Sequence, residues 1–232
     1  PMTSRSVFLL AYAALASLEL YAETLLPERP ALRLLAKPAL LTALSLYFFV
    51  NTRHHRTRRD ALFQTALAFA WLGDVLLMRE DGFLAGLGAF LVMQVLYAVV
   101  FWRSPFRALW QLPSRRVRMA TVLLLLFAGR VFLKIHPNLG ALTVPVAAYL
   151  LVILTMAMAA FNRLERVPML SFRLVAVGAV LFVISDGCIA LTRFGGDNGW
   201  LAWLIMPTYA AAQYLIVEGV LRERVPEPMF AA

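Results

Sequence analysis

Apolar residues gather along this chain in long runs separated by short polar breaks. A helix that crosses a bilayer needs about 20 predominantly apolar residues. Eight runs approach that length, at 6–26, 34–50, 61–78, 83–101, 117–135, 139–160, 170–191 and 200–221. The breaks carry residues that end helices and make turns: "PERP" at 27–30, "NTRHHRTRRD" at 51–60, "REDG" at 79–82, "SPFRALWQLPSRR" at 104–116, "HPN" at 136–138, "NRLERVP" at 162–168 and "GGDNG" at 195–199. None is long enough to form a soluble domain. Residues 2–232 therefore read as one all-α, polytopic membrane domain, a bundle of eight transmembrane helices. The first run contains Glu19 and Glu23 and lacks a small-residue cleavage site, so it reads as a retained helix rather than a signal peptide.

Composition strengthens this picture. Hydrophobic residues make up 62% of the chain and charged ones 15%, where a soluble domain carries roughly a quarter charged residues. The lone Cys188 excludes an intramolecular disulfide framework and a cysteine-based zinc site. His54, His55 and His136 are too few and too scattered for a metal centre, and no cofactor is implied. A net charge of +9 is explained by topology and anionic lipid headgroups rather than by nucleic acid, and no protein partner is implied. Lys and Arg distribute unevenly between the two faces. Fifteen fall on one side (Arg5; Arg53, Arg56, Arg58, Arg59; Arg103, Arg107, Arg115, Arg116, Arg118; Arg163, Arg166, Arg173; Arg222, Arg224), and seven on the other (Arg29, Arg33, Lys37, Arg79, Arg130, Lys134, Arg193). The richer side is expected to be cytoplasmic, and with it both termini.

An ionisable residue inside a span is expensive and by default marks a functional site facing the bundle interior. Glu19, Glu23, Lys37, Asp74, Arg130 and Asp186 are the candidates, all toward the expected outer ends of their helices. Glu23, Arg130 and Lys134 lie close enough to helix ends to snorkel. Lys37, just before Pro38, is either an interfacial anchor or a cation aimed at the carboxylates. Asp74 lies four residues before Met78, about 6 Å from the expected end of its run at 1.5 Å per residue. Asp186 lies five residues before Leu191, at nearly the same depth. Each aspartate follows a small residue (Gly73, Ser185), precedes an arginine (Arg79, Arg193), and stands 23 residues before a tyrosine (97 − 74 for Tyr97, 209 − 186 for Tyr209). This pattern admits a parallel four-plus-four internal repeat, as well as chance likeness between membrane helices.

Two carboxylates in one low-dielectric pocket divide their labour, one held protonated as an acid and the other ionised. The pair suits reactions through an oxocarbenium-like transition state, and placement in a membrane points to a lipid substrate. Tyr209 and Gln213 share a helix face, as do Gln94 and Tyr97, and Tyr149 lies within the sixth run. These groups, with Glu19 and Arg193, either line the pocket or bond across helices. Nucleotide-binding, serine-hydrolase and HExxH motifs are absent.

With those residues assembled, the chain resembles the YhhN family of membrane proteins. The resemblance rests on "AKPALL" (36–41), "WLGDVLLM" (71–78), "GLGAFLVMQVLYAVVF" (86–101), "VPVAAYLLVILTMAMAAF" (144–161), "LFVISDGCIALTRF" (181–194) and "IMPTYAAAQYLIVEG" (205–219). It implies an eight-helix hydrolase that cleaves the vinyl ether bond of lysoplasmalogens, giving a fatty aldehyde and glycerophosphoethanolamine or glycerophosphocholine. It maps the family's two motif aspartates onto Asp74 and Asp186 as catalytic residues and implies a lysophospholipid substrate, whose phosphate Lys37, with Arg193 or Arg79, is expected to hold by charge. Gln94 departs from the family, where a histidine is expected. A multi-pass protein of a bacterial inner membrane follows as the expected location. Three other readings compete: a transporter of a lipid or small organic anion, a lipid hydrolase acting on an ester or epoxide, and a structural protein whose acids are paired to arginines.

Overall fold

A computed structural model describes residues 4–24, 30–79, 81–102, 114–196 and 199–224. Arg29, Arg103 and Arg107, and the side chains of Glu23 and Arg33, lie outside the described residues. Among the described residues there are eight α-helices and no strand: α1 (Ser4–Thr24), α2 (Pro30–Thr52), α3 (Arg58–Leu77), α4 (Phe83–Phe101), α5 (Arg115–Ile135), α6 (Thr143–Phe161), α7 (Met169–Phe194) and α8 (Gly199–Arg222). Helices α3 to α8 are each long and apolar enough to cross a membrane. Helices α1 and α2, of 21 and 23 residues, reach about 30 Å at 1.5 Å per residue. The protein is a multi-pass integral membrane bundle.

Helix ends follow local chemistry. Thr57 caps α3 by a reciprocal box: its backbone N–H donates to Asp60 Oδ2 at 2.6 Å, and Asp60 N–H donates back to Thr57 Oγ1 at 3.3 Å. Pro168 precedes α7 and Gly195 follows it. Several boundaries differ from those read in the sequence, and two of the differences move a candidate residue. Helix α2 begins at Pro30 and runs through Pro38, since a spanning helix accommodates proline where neighbouring helices and Ser or Thr side chains re-satisfy the freed groups. Lys37 therefore sits two turns inside the helix rather than at its start. Short 3₁₀ turns at His136–Asn138 and Gly140–Leu142 delay α6 to Thr143, with Gly140 supplying a φ of +51°. Helix α7 continues to Phe194, so Arg193 belongs to its last turn.

Packing is closest where side chains are smallest. A methyl group at Gly178 of α7 would lie 2.8 Å from Ile216 Cγ1 and 2.9 Å from the Ala212 carbonyl of α8; one at Gly219 would lie 2.6 Å from Val175 Cγ2. Gly73 of α3 lies against the Phe90 ring of α4 in the same way, at 2.8 Å. Lipid tails are as apolar as leucine, so such close contacts are what hold spanning helices together. At the end of the bundle nearest Asp60 and Arg222, charged groups pair across helices. Arg163, fully buried, donates to Ser171 Oγ at 2.9 Å and pairs with Glu223 at 3.1 Å. Ser171 Oγ in turn donates to the Gly219 carbonyl at 2.6 Å. Arg224 pairs with Asp60, and Arg222 with Glu218 at 2.6 Å.

Candidate active site

At the opposite end, α2, α3, α4, α6, α7 and α8 enclose a cavity with about 710 Å³ of empty space, counted to its open mouth. Five polar side chains line it: Lys37, Asp74, Tyr149, Asp186 and Tyr209. The wall is otherwise apolar, with Phe83, Leu87, Phe90, Ile205 and Met206 among its residues. The acids read from the sequence are thus brought together from α3 and α7. Asp74 is three residues from the end of α3, about 4.5 Å, and Asp186 is eight from the end of α7, about 12 Å at 1.5 Å per residue. The longer α7 accounts for that difference, and both side chains still reach the same space.

Their surroundings differ. Asp74 is 2% exposed. One oxygen lies 4.0 Å from the Lys37 ammonium, and the other accepts a 2.9 Å hydrogen bond from the Tyr209 hydroxyl. Behind Tyr209, the Gln213 amide donates to the tyrosine hydroxyl at 3.4 Å, and the Tyr97 hydroxyl donates to Gln213 Oε1 at 2.7 Å. Asp186, half-buried, accepts a short hydrogen bond from the Tyr149 hydroxyl. Among the described residues it forms no ion pair with Lys or Arg. Gln94 is fully buried beside Tyr149, and neither of its amide atoms completes a hydrogen bond. A carboxylate with a counter-ion and one without therefore face a common cavity, each held by a tyrosine.

Of the other residues singled out in the sequence, Gln94, Tyr97 and Gln213 are fully buried and stand behind the wall, with Tyr97 and Gln213 hydrogen-bonded in line to Tyr209. Glu19 is fully buried on α1 and lies away from the cavity lining. Arg193 is exposed at the rim, its guanidinium 4.1 Å from the centre of the Phe83 ring. Arg79 is turned to Asp81 at 3.2 Å, both of them exposed, and its hydrogen bonds hold the Asp81 carboxyl below the ordinary range. The equal spacing to Tyr97 and Tyr209 does not carry over to equal contacts: Tyr209 donates to Asp74, while Tyr97 donates to Gln213. The apolar wall carried no signal in the sequence, because a phenylalanine or methionine in a span is unremarkable until packing decides which way it faces.

The chain is similar to lysoplasmalogenase TMEM86A of Bos taurus, 32% identical over 167 residues that cover 69% of this chain and 65% of the relative. It is similar to lysoplasmalogenase TMEM86B of Rattus norvegicus, 33% identical over 161 residues, 69% of this chain and 62% of the relative. A lysoplasmalogenase of Mycobacterium bovis is 32% identical over 163 residues, 64% of this chain and 59% of the relative. In each case the match spans less than two thirds of the relative's length. No solved structure matches the chain. The YhhN family model matches residues 32–220, a stretch that holds both aspartates, both of their tyrosines and Lys37, and this chain belongs to the YhhN family.

Proposed function

We propose that this protein hydrolyses the vinyl ether bond of a lysoplasmalogen within the membrane, releasing a fatty aldehyde and the glycerophospho-alcohol. The observation that carries the reading is the unequal pair of aspartates on one largely apolar cavity. The names of the relatives support the substrate class. Asp186, which lacks a counter-ion, is the acid: it protonates the β carbon of the vinyl ether and leaves an oxocarbenium ion. Asp74, beside Lys37, stabilises that cation and takes a proton from the attacking water, giving a neutral hemiacetal. On collapse, Asp74 returns its proton to the leaving glycerol oxygen while Asp186 recovers one from the hemiacetal hydroxyl. Both residues are then reset and one water has been consumed. Tyr149 and Tyr209 orient the two carboxylates. Lys37 inside the cavity and Arg193 at its rim supply positive charge for the phosphate.

The test is to incubate purified protein with an alkenyl and an acyl lysophospholipid side by side. Free aldehyde from the alkenyl lipid alone is the expected result; fatty acid from the acyl lipid overturns the reading in favour of an ester hydrolase. In D₂O, with the aldehyde reduced as it forms, carbon protonation leaves one deuterium on the carbon next to the carbonyl. Asp74→Asn and Asp186→Asn each abolish turnover while the protein keeps its helical content; full activity in either variant sinks the mechanism.

A further inference from the structure

A second cavity, with about 450 Å³ of empty space counted to its open mouth, lies between α5, α6 and α7. It shares Val146, Tyr149, Asp186 and Ala190 with the first. Away from that junction its lining is entirely apolar, including Phe127, Ala128, Val131, Leu150, Ile153 and Val183. The first cavity holds Lys37 and Asp74; the second has no polar side chain except Asp186 and Tyr149, where the two meet. Gly187, next to Asp186, makes room for the adjoining Phe127 ring: a methyl group there would stand 2.8 Å from Phe127 Cζ.

We infer that the cleft between α5 and α7 is the binding site for the single hydrocarbon chain of the substrate, and that its lining sets which chain lengths are accepted. The inference rests on the proposed function and adds where the lipid lies. A lysolipid has one polar head and one chain, and the bond to be cut joins them. With the head beside Lys37 and the chain in the apolar cleft, that bond falls at Asp186 and Tyr149, which both cavities share. No other placement across the junction puts the charged end against the cation and keeps the methylenes on apolar walls. Each methylene that leaves lipid for the cleft gains little by transfer alone, so discrimination comes from fit, and a bulky residue in the lining acts as a stop.

Two measurements test this. In the first, alkenyl lysophospholipids of short and long chain are compared in the wild type and in Ala128→Phe, Ala128 being buried at 2% exposure in the lining. The variant is expected to lose about 100-fold in kcat/KM on the long chain and to keep turnover of the short one. Phe127→Ala, which widens the cleft, shifts preference toward longer chains. An equal loss on both lengths overturns the inference. In the second, a saturated 1-O-alkyl lysophospholipid bearing a terminal diazirine is photolysed with wild-type protein, and the adducts are mapped by mass spectrometry. Adducts at Phe127–Ile135 and Leu150–Ile153 support the cleft; adducts confined to α1, α2 or α8 overturn it. This probe needs no turnover. Adducts in the cleft without aldehyde from any chain would therefore defeat the proposed hydrolysis and leave the lipid site standing.

Discussion

Lys37 is the residue whose meaning changed most between sequence and structure. Beside Pro38 it reads equally as an anchor at a helix entrance or as a cation for the acids. The uninterrupted α2 places its ammonium 4.0 Å from Asp74 with a side chain only 13% exposed. Lys37→Met removes that charge from a low-dielectric site, and a charged interaction of this kind is worth about 2 kcal/mol, or roughly a 30-fold loss of kcat/KM at 1.4 kcal/mol per decade. Lys37→Arg recovers part of the loss. Equal activity in Lys37→Met and wild type, measured by aldehyde release, would remove Lys37 from the site. Asp74 and Asp186 were legible in the sequence because an acid in an apolar run stands out against its background. Phe90, Met206 and Ala190 were not, since an apolar side chain in a span is silent about which neighbour it meets.

At the scale of the helix, the sequence pattern located all eight elements but not their ends. Boundaries moved where backbone chemistry overrides hydropathy: at Pro38, at the 3₁₀ turns before Thr143, and at Gly195. Contacts between helices depend on glycines that hydropathy does not weigh. Gly178 permits α7 and α8 to approach until a methyl group would sit 2.9 Å from a carbonyl oxygen. Gly178→Ala therefore forces the helices apart, for about 2 kcal/mol of lost stability, read as a lower midpoint of thermal unfolding in detergent. Gly88 on α4 has nothing within 4 Å of an added methyl. Gly88→Ala leaves that midpoint unchanged or raises it slightly. The α7–α8 contact matters beyond stability because α7 carries Asp186 and α8 carries Tyr209, the hydrogen-bond partner of Asp74.

Over the whole molecule, the two ends have different chemistry. Ion pairs joining Arg163, Glu223, Arg59, Arg224 and Asp60 tie one end together, and the acids and their cavity occupy the other. The excess of Lys and Arg on the first end makes it the expected cytoplasmic face. A reporter active only in the cytoplasm, fused after Ala232, is expected to be active, and one placed in the connection before α4 to be silent. The reverse result would turn the acid cavity toward the cytoplasmic leaflet. A lipid reaching the cavity would come from the outer leaflet in the first case and from the inner leaflet in the second. This asymmetry was visible in charge counting alone, whereas the junction of two cavities at Asp186 required the three-dimensional arrangement of α5 to α8.

The row of groups from Tyr97 through Gln213 and Tyr209 to Asp74 has a direction as well as a position. Tyr97 offers a hydrogen to the oxygen of the Gln213 amide, which leaves the nitrogen of that amide facing Tyr209. Tyr209 receives a hydrogen there and has a single one of its own, which is free only toward Asp74. Polarity set by a phenol on α4 is thus transmitted through α8 to a carboxylate on α3, as in a line of switches where throwing the first determines the last. A carboxylate on the cavity wall is thus oriented by a group that does not itself line the cavity.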